Sequence, residues 1–308
     1  MSQKFCGKDS NSYHTSIVCL CQLSCVFSGI TYNQRMRQRI SSFSKINLSP
    51  IKKILLLAVL LITIIWIWEI PSGLLGKADA IGYALCHRID VRSFHLGERQ
   101  LPFCARCMGM YLGAILGLIY QGSLYYKHSG TAPWKVLILM GLFALAFAGD
   151  GLNSYLSLFP GAPTVYTPNN TFRLLTGSGM GVALGVLLFP AFNQTIWKDW
   201  DPQPAIHDFR SLAGLLAIVL LADGLVLTNN PLILYPLALL SVLGVLALLT
   251  MVYTMLWLMV LRAENKYLHI RELTFPLVAG FGVALLQIGA LDFIRYIFTG
   301  SWDGFFLG

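Results

Sequence analysis

The chain reads as an all-α, polytopic transmembrane bundle of about seven spans, with its N-terminus inside and its C-terminus outside. Three observations lead there. Hydrophobic residues make up 56% of the 308 and charged residues only 12%, against roughly 25% charged in a soluble domain. Mean hydropathy is +0.66, so polar surface is too scarce to cover a soluble particle, and soluble, disordered and fibrous classes are excluded. The basic excess is also lopsided: residues 1–53 carry eight Lys/Arg against Asp9 alone, while residues 54–308 carry fourteen against thirteen acids. Placed directly ahead of the first apolar run, that excess is an orientation signal and argues against a nucleic-acid partner.

Residues 1–50 form a basic tail with four of the seven cysteines, Cys6, Cys19, Cys21 and Cys25. Its apolar stretch at 16–30 is too short and polar to span, and no signal-peptide pattern is visible, since no strongly basic leader runs into it. Met36-Arg37-Gln38-Arg39 ahead of the first span would be an ordinary beginning. Residues 1–35 then read as a poorly ordered tail or upstream sequence, with acylation of the juxtamembrane cysteines as a further reading.

Crossing the hydrocarbon core takes about 20 mainly apolar residues. Seven runs qualify: 52–69, 103–124, 135–149, 172–192, 211–228, 232–261 and 273–297. The first four, within 51–192, are read as one module containing a Cys/His motif; 193–308 adds three more. The third run is short and ends at Gly149-Asp150-Gly151, and the sixth is long enough to be tilted, to project, or to break near Tyr235-Pro236. Lys127, Lys135, Lys198, Arg210, Arg262, Lys266 and Arg271 fall on the inner side in this reading. The connections 150–171 and 229–231 hold no Lys or Arg and fall outside. The loop 70–102 is near neutral, and its arginines are expected to have local partners.

Charges within spans are costly and mark functional candidates. Here they gather at one level: Arg106 on the second span, Asp150 on the third, Arg173 on the fourth, Asp223 on the fifth, Asp292 and Arg295 on the seventh. Arg295 and Arg173 are long enough to snorkel; the aspartates are not, which points to a shared outward-facing polar chamber. Beside it stand Cys86-His87-Arg88 and Cys104-Ala105-Arg106-Cys107. Pro102 suits a first helical position, which would put Cys104 and Cys107 on one face of the first turn, where the helix dipole favours thiolate. Three uses compete: a zinc site from Cys86, Cys104 and Cys107 with His87 or His95, a Cys-x-x-Cys redox pair with Cys86 as third thiol, or a structural disulfide. Eighteen residues separate Cys86 from Cys104, and Gly97-Glu98 is a reversing turn that can bring them together.

Two glycine stripes, Gly109/Gly113/Gly117 and Gly177/Gly181/Gly185, predict close parallel packing of the second and fourth spans. That seam would bring Arg106 and Arg173 together and call for Asp150, another acid or a bound anion such as a lipid phosphate.

The segments Cys86-His87-Arg88-Ile89, Arg92-Ser93-Phe94-His95, Arg99-Gln100-Leu101-Pro102, Cys104-Ala105-Arg106-Cys107-Met108-Gly109, Asp150-Gly151 and Arg173-Leu174-Leu175-Thr176-Gly177 resemble a prokaryotic membrane-protein family of unknown function, DUF2085. The resemblance covers about residues 80–190 and implies one module of roughly four helices. Met108 stands where the resemblance implies a small polar residue, usually Thr. The resemblance brings no activity or cofactor with it.

From the residues, the first functional reading is a multi-pass cell-membrane enzyme with an outward-facing Cys/His site. A metal, zinc by its ligands, or thiol chemistry would act on a lipid-linked or other anionic phosphate, with Asp150 as base and Arg106 and Arg173 holding the anion. The alternatives are a transporter or an assembly scaffold in which the Cys/His cluster is a structural clasp. No charged residue lies deep in the inner half of any span, which disfavours transport.

Overall fold

Eight helices carry the architecture of the described residues, 48–159 and 161–302 of the computed structural model. They are α1 (Leu48–Glu69), α2 (Gly73–Leu85), α3 (Ala105–Leu124), α4 (Trp134–Leu156), α5 (Asn170–Ile196), α6 (Phe209–Leu227), α7 (Pro231–Val260) and α8 (Thr274–Thr299). Two short strand pairs join them: β1 (Ser93–Leu96) with β2 (Arg99–Cys104), antiparallel, and β3 (His128–Gly130) with β4 (Asp201–Pro204), parallel. Residues 55–308 cluster as one unit. The expectations for the tail cysteines and for a start at Met36 lie outside the described residues.

Six helices are long and apolar enough to cross a membrane, and α1 with α2 make a seventh if that bent pair counts as one span. The bundle exterior is what lipid requires, with Leu145, Leu221 and Phe298 all exposed. Pro71 ends α1, since it can neither donate nor continue the helix, and the chain bends by 104° into α2. The Lys77 ammonium turns back and donates to the carbonyls of Ile67 and Ile70 at that end. A helix at 73–85 is not among the seven expected runs; its Lys, Asp and three glycines hid it.

Other boundaries carry readable signals. Asn169 caps α5 by accepting from the Phe172 N–H at 2.8 Å, Asp208 and Ser211 form a capping box on α6, and Asn230 with Pro231 opens α7. One expectation is corrected. Helix α4 runs past Gly149-Asp150-Gly151 to Leu156, so Asp150, Asn153 and Ser154 are helical and buried. Helix α7 does not break at Pro236; its 30 residues, about 45 Å at 1.5 Å each, outrun a hydrocarbon core of about 30 Å.

Helices α3 and α5 pack backbone against backbone along their glycines. A Cβ on Gly177 would fall against the Arg106 carbonyl, one on Gly181 against the Met110 carbonyl, and one on Gly109 against the Leu174 carbonyl, all well inside 3.0 Å. Contact pairs advance together along both chains, from Gly109 beside Leu174 to Gly117 beside Gly185, so the helices are parallel, as the stripes predicted. Gln121 fastens the far end, its Nε2 donating to the carbonyls of Gly117 and Gly185 at 3.0 Å each.

The basic connections share one end of the bundle. Lys127 meets Asp199 at 2.8 Å, lies 4.6 Å over the Trp197 ring, and donates to the Leu268 carbonyl. Asn265 N–H reaches the Thr195 carbonyl at 2.9 Å. The cysteines and the intramembrane acids lie at the other end.

Candidate metal centre and arginine cluster

Cys86 ends α2, its N–H donating to the Gly82 carbonyl at 2.8 Å. From there the chain turns through Arg88, which takes a positive φ of 51°, into the β1–β2 hairpin. Gly97 at φ 63° makes the reversal, at the turn the sequence predicts. The register pairs Leu96 with Arg99 and Ser93 with Cys104, which returns the chain to Cys86. Gly82 lets α2 lie directly on the Pro102 carbonyl, where any Cβ would collide. Pro102 therefore sits in β2, not at the head of the helix; Cys104 is the N-cap of α3 and Ala105 its first residue.

The outcome is that the sulfurs of Cys86, Cys104 and Cys107 lie within 4.8 Å of one another. All three are free thiols, so no disulfide joins any pair. Two backbone N–H groups point at the Cys86 sulfur, from Cys104 at 3.3 Å and from Arg88 at 3.5 Å. Cys104 is held well below the ordinary thiol range by hydrogen bonds from Cys107 and then Cys86, with His87 adding to them. Its partner Cys86 is pushed up to about 12, first by that shared hydrogen bond with Cys104. Three sulfurs at this spacing could hold a metal ion. His95 does not join them: its Nε2 meets Asp90 at 2.8 Å on the exposed side of the hairpin. His87 is exposed and interacts with Cys104.

The loop is braced from two directions. Asp79 pairs with Arg88 at 3.2 Å and with Arg99 at 2.6 Å, so these arginines have the local partners expected of them. Arg295 does not snorkel. Its guanidinium donates to the carbonyls of Tyr83, Cys86 (2.6 Å) and His87 (3.3 Å), and stacks 4.0 Å over the Tyr83 ring.

Beside the thiols, Arg106 and Asp150 form a buried pair. Arg106 Nε donates to Asp150 Oδ2 at 2.8 Å, and Nη2 contacts the same oxygen, the Asp150 carbonyl (3.0 Å) and Ser154 Oγ (2.8 Å). The other carboxylate oxygen accepts from the Tyr166 hydroxyl. Tyr166 is raised to about 12, by burial and then by that bond to Asp150. Arg173 is 6% exposed; its Nη1 donates to Asn170 Oδ1 at 2.9 Å, while Nε has no partner among the described residues. Arg92 reaches the Ser154 carbonyl at 2.9 Å, and its guanidinium pKa is lowered by burial and then by Arg106. Arg173 feels both Arg92 and Arg106, and Cys104 acts on Arg92 and Arg173 alike. Three arginines therefore gather near one carboxylate, which pairs directly with Arg106, while Arg92 and Arg173 bond to the Ser154 carbonyl and to Asn170.

Residues 86–187 match the family model for DUF2085, described as a predicted membrane protein. The matched segment opens on Cys86 and takes in the thiols, Arg92, Arg106, Asp150, Arg173 and both glycine stripes. Two curated archaeal proteins are similar. An uncharacterized protein of Methanocaldococcus jannaschii is 26% identical over 119 residues, 39% of this chain and 70% of its own length. One of Methanothermobacter thermautotrophicus is 27% identical over 103 residues, 33% of this chain and 83% of its own. No solved structure matches.

The polar residues share an end but not one chamber. Asp150 belongs to the arginines. Asp223 is buried against the α5 face, where its Oδ1 accepts from Ser178 at 2.7 Å. Asp292 lines a separate cavity between α1 and α8. The single chamber expected gives way to three separate settings: Asp150 with Arg106 and Tyr166, Asp223 with Ser178, and Asp292 at the cavity between α1 and α8. Sequence reasoning passed over Arg92, Tyr166 and Ser154 as site residues. Arg92 was within the quoted motif, while Tyr166 and Ser154 carried no signal, since their partners lie sixteen and forty-eight residues away in sequence.

Proposed function

We propose that this is a multi-pass cell-membrane protein that holds zinc through Cys86, Cys104 and Cys107, with His87 as nitrogen ligand, and receives a phosphate-bearing anion at Arg92, Arg106 and Arg173. What carries the metal reading is the convergence of three thiols with backbone N–H groups aimed at one of them. Zinc–sulfur bonds of about 2.3 Å set sulfurs roughly 4 Å apart, a distance the observed cluster accommodates. Three thiolates and an imidazole suit zinc above harder cations. What supports the anion reading is charge: Arg92, Arg106 and Arg173 outnumber Asp150, Arg173 is buried, and its Nε has no partner among the described residues. Planar guanidinium groups match phosphate oxygens.

Asp150 suits holding Arg106 better than taking a proton, since both its oxygens are engaged. Within an enzymatic reading, zinc would supply Lewis acidity, and the arginines would orient the anion beside it. In this proposal the thiol end faces outward and the lysine-rich end inward, by the positive-inside rule.

The test is elemental analysis of full-length protein purified in detergent. One zinc per chain is expected, and its loss in Cys104→Ser and Cys107→Ser. Anion binding is tested with phosphatidate in nanodiscs and with inorganic phosphate. Arg173→Gln should weaken whichever binds, and the stronger of the two identifies the source. Metal-free protein from zinc-replete cells, with Cys104 oxidised to a partner sulfur, would favour the thiol-redox reading instead.

A further inference from the structure

A cavity of about 610 Å³ lies between α1 and α8, at the thiol end of the bundle but built from other residues. That volume is in the range of sites for small organic ligands. Its walls are apolar or aromatic, with Trp66, Phe293, Tyr296 and Trp302 among them, and its acids are Asp292 and Glu69. Among the described residues, no Lys or Arg lines it. Asp292 is 4% exposed, and neither carboxylate oxygen has a hydrogen-bond partner among the described residues. The Trp66 indole N–H lies beside that carboxyl without completing a hydrogen bond. Arg295, one turn along, hydrogen-bonds to the carbonyls of Tyr83, Cys86 and His87 and acts on Asp292 only electrostatically.

A buried carboxylate lacking donors is expensive, and such groups are paired or bind something. The surroundings specify what. Two acids without a lining base select positive charge. Four aromatic rings favour a cation over their faces, and the aliphatic walls favour an apolar body. Two unsatisfied oxygens favour a head group that still carries N–H donors, which a quaternary ammonium lacks.

We infer that this cavity binds an amphiphilic organic cation, a protonated primary amine on an apolar body, with Asp292 as its counter-ion. The inference is independent of the zinc and phosphate readings, since it shares no residue with either.

The experiment is calorimetric titration of the full chain in neutral detergent with 4-phenylbutylamine, and with 4-phenylbutan-1-ol as its uncharged counterpart. The amine should bind saturably at one site per chain. The alcohol, and the amine on Asp292→Asn, should bind roughly ten- to a hundred-fold more weakly, the worth of a charge-assisted hydrogen bond. Gly289→Val places its side chain toward Trp66, whose ring lies 3.6 Å from the added Cβ. It should block the amine while leaving the carboxylate in place, and it decides the matter if Asp292→Asn does not fold. Equal binding of amine and alcohol would overturn the proposal, as would an amine titration without saturation or one unaffected by Gly289→Val. Metal content is expected to be unchanged in both variants.

Discussion

Replacing Gly177 by alanine probes the contact on which the site depends. The added Cβ would meet the Arg106 carbonyl oxygen well inside the 3.0 Å that real Cβ atoms respect, and would also crowd the Arg106 carbonyl carbon and the Met110 nitrogen. All three neighbours are backbone, so no side chain can swing away and the two helices must part by nearly an ångström. Overpacking a tight core costs about 1–3 kcal/mol, and a backbone collision belongs at the upper end. The gain in helix propensity from Gly to Ala, about 1 kcal/mol, offsets only part of it, leaving a net destabilisation near 2 kcal/mol. Gly141 supplies the control: it lies in α4 with nothing within 4 Å of its added Cβ, so Gly141→Ala should be neutral or slightly stabilising. Thermal unfolding in detergent, followed by thiol-reactive dye, measures both. Because Arg106 and Cys107 ride on the displaced backbone, Gly177→Ala should also loosen the thiol cluster. Equal melting temperatures for Gly177→Ala and Gly141→Ala would refute the seam as a determinant of the fold.

Asp150→Asn removes the partner of a guanidinium whose side chain is only 17% exposed, and should destabilise by about 3–5 kcal/mol; chemical unfolding that shows no loss would mean the pair is solvated. Arg295→Ala frees the Tyr83, Cys86 and His87 carbonyls, so zinc affinity should fall about 10–100-fold, as for other groups that orient ligands, in a competition assay with a chelating dye. For orientation, cysteines introduced at Val165 and Asn229, both exposed, should react from outside with an impermeant thiol reagent above the wild-type background. One at His128 should not, and the reverse pattern would invert the topology. Ser154 is unsuitable for such labelling, being fully buried beside Arg106.

How much was legible in the chain follows from which signals are local. Hydropathy needs no partner, so class and six of the spans could be read directly. The glycine stripes declared the α3–α5 seam because backbone contact demands small residues at every fourth position on both helices. Gly97 declared the hairpin because a reversal there needs positive φ, and that hairpin brings Cys86 to Cys104. What tertiary structure alone decided are partnerships between residues far apart in sequence. Arg295 was read as a snorkelling cation, yet it holds carbonyls more than two hundred residues earlier. Asp150, Asp223 and Asp292 look alike as lone acids at one depth. Only the packing of helices made the first an arginine's partner, gave the second a serine, and left the third facing a cavity with no donor among the described residues. Periodicity along one helix records which face is buried, but not the neighbour that buries it.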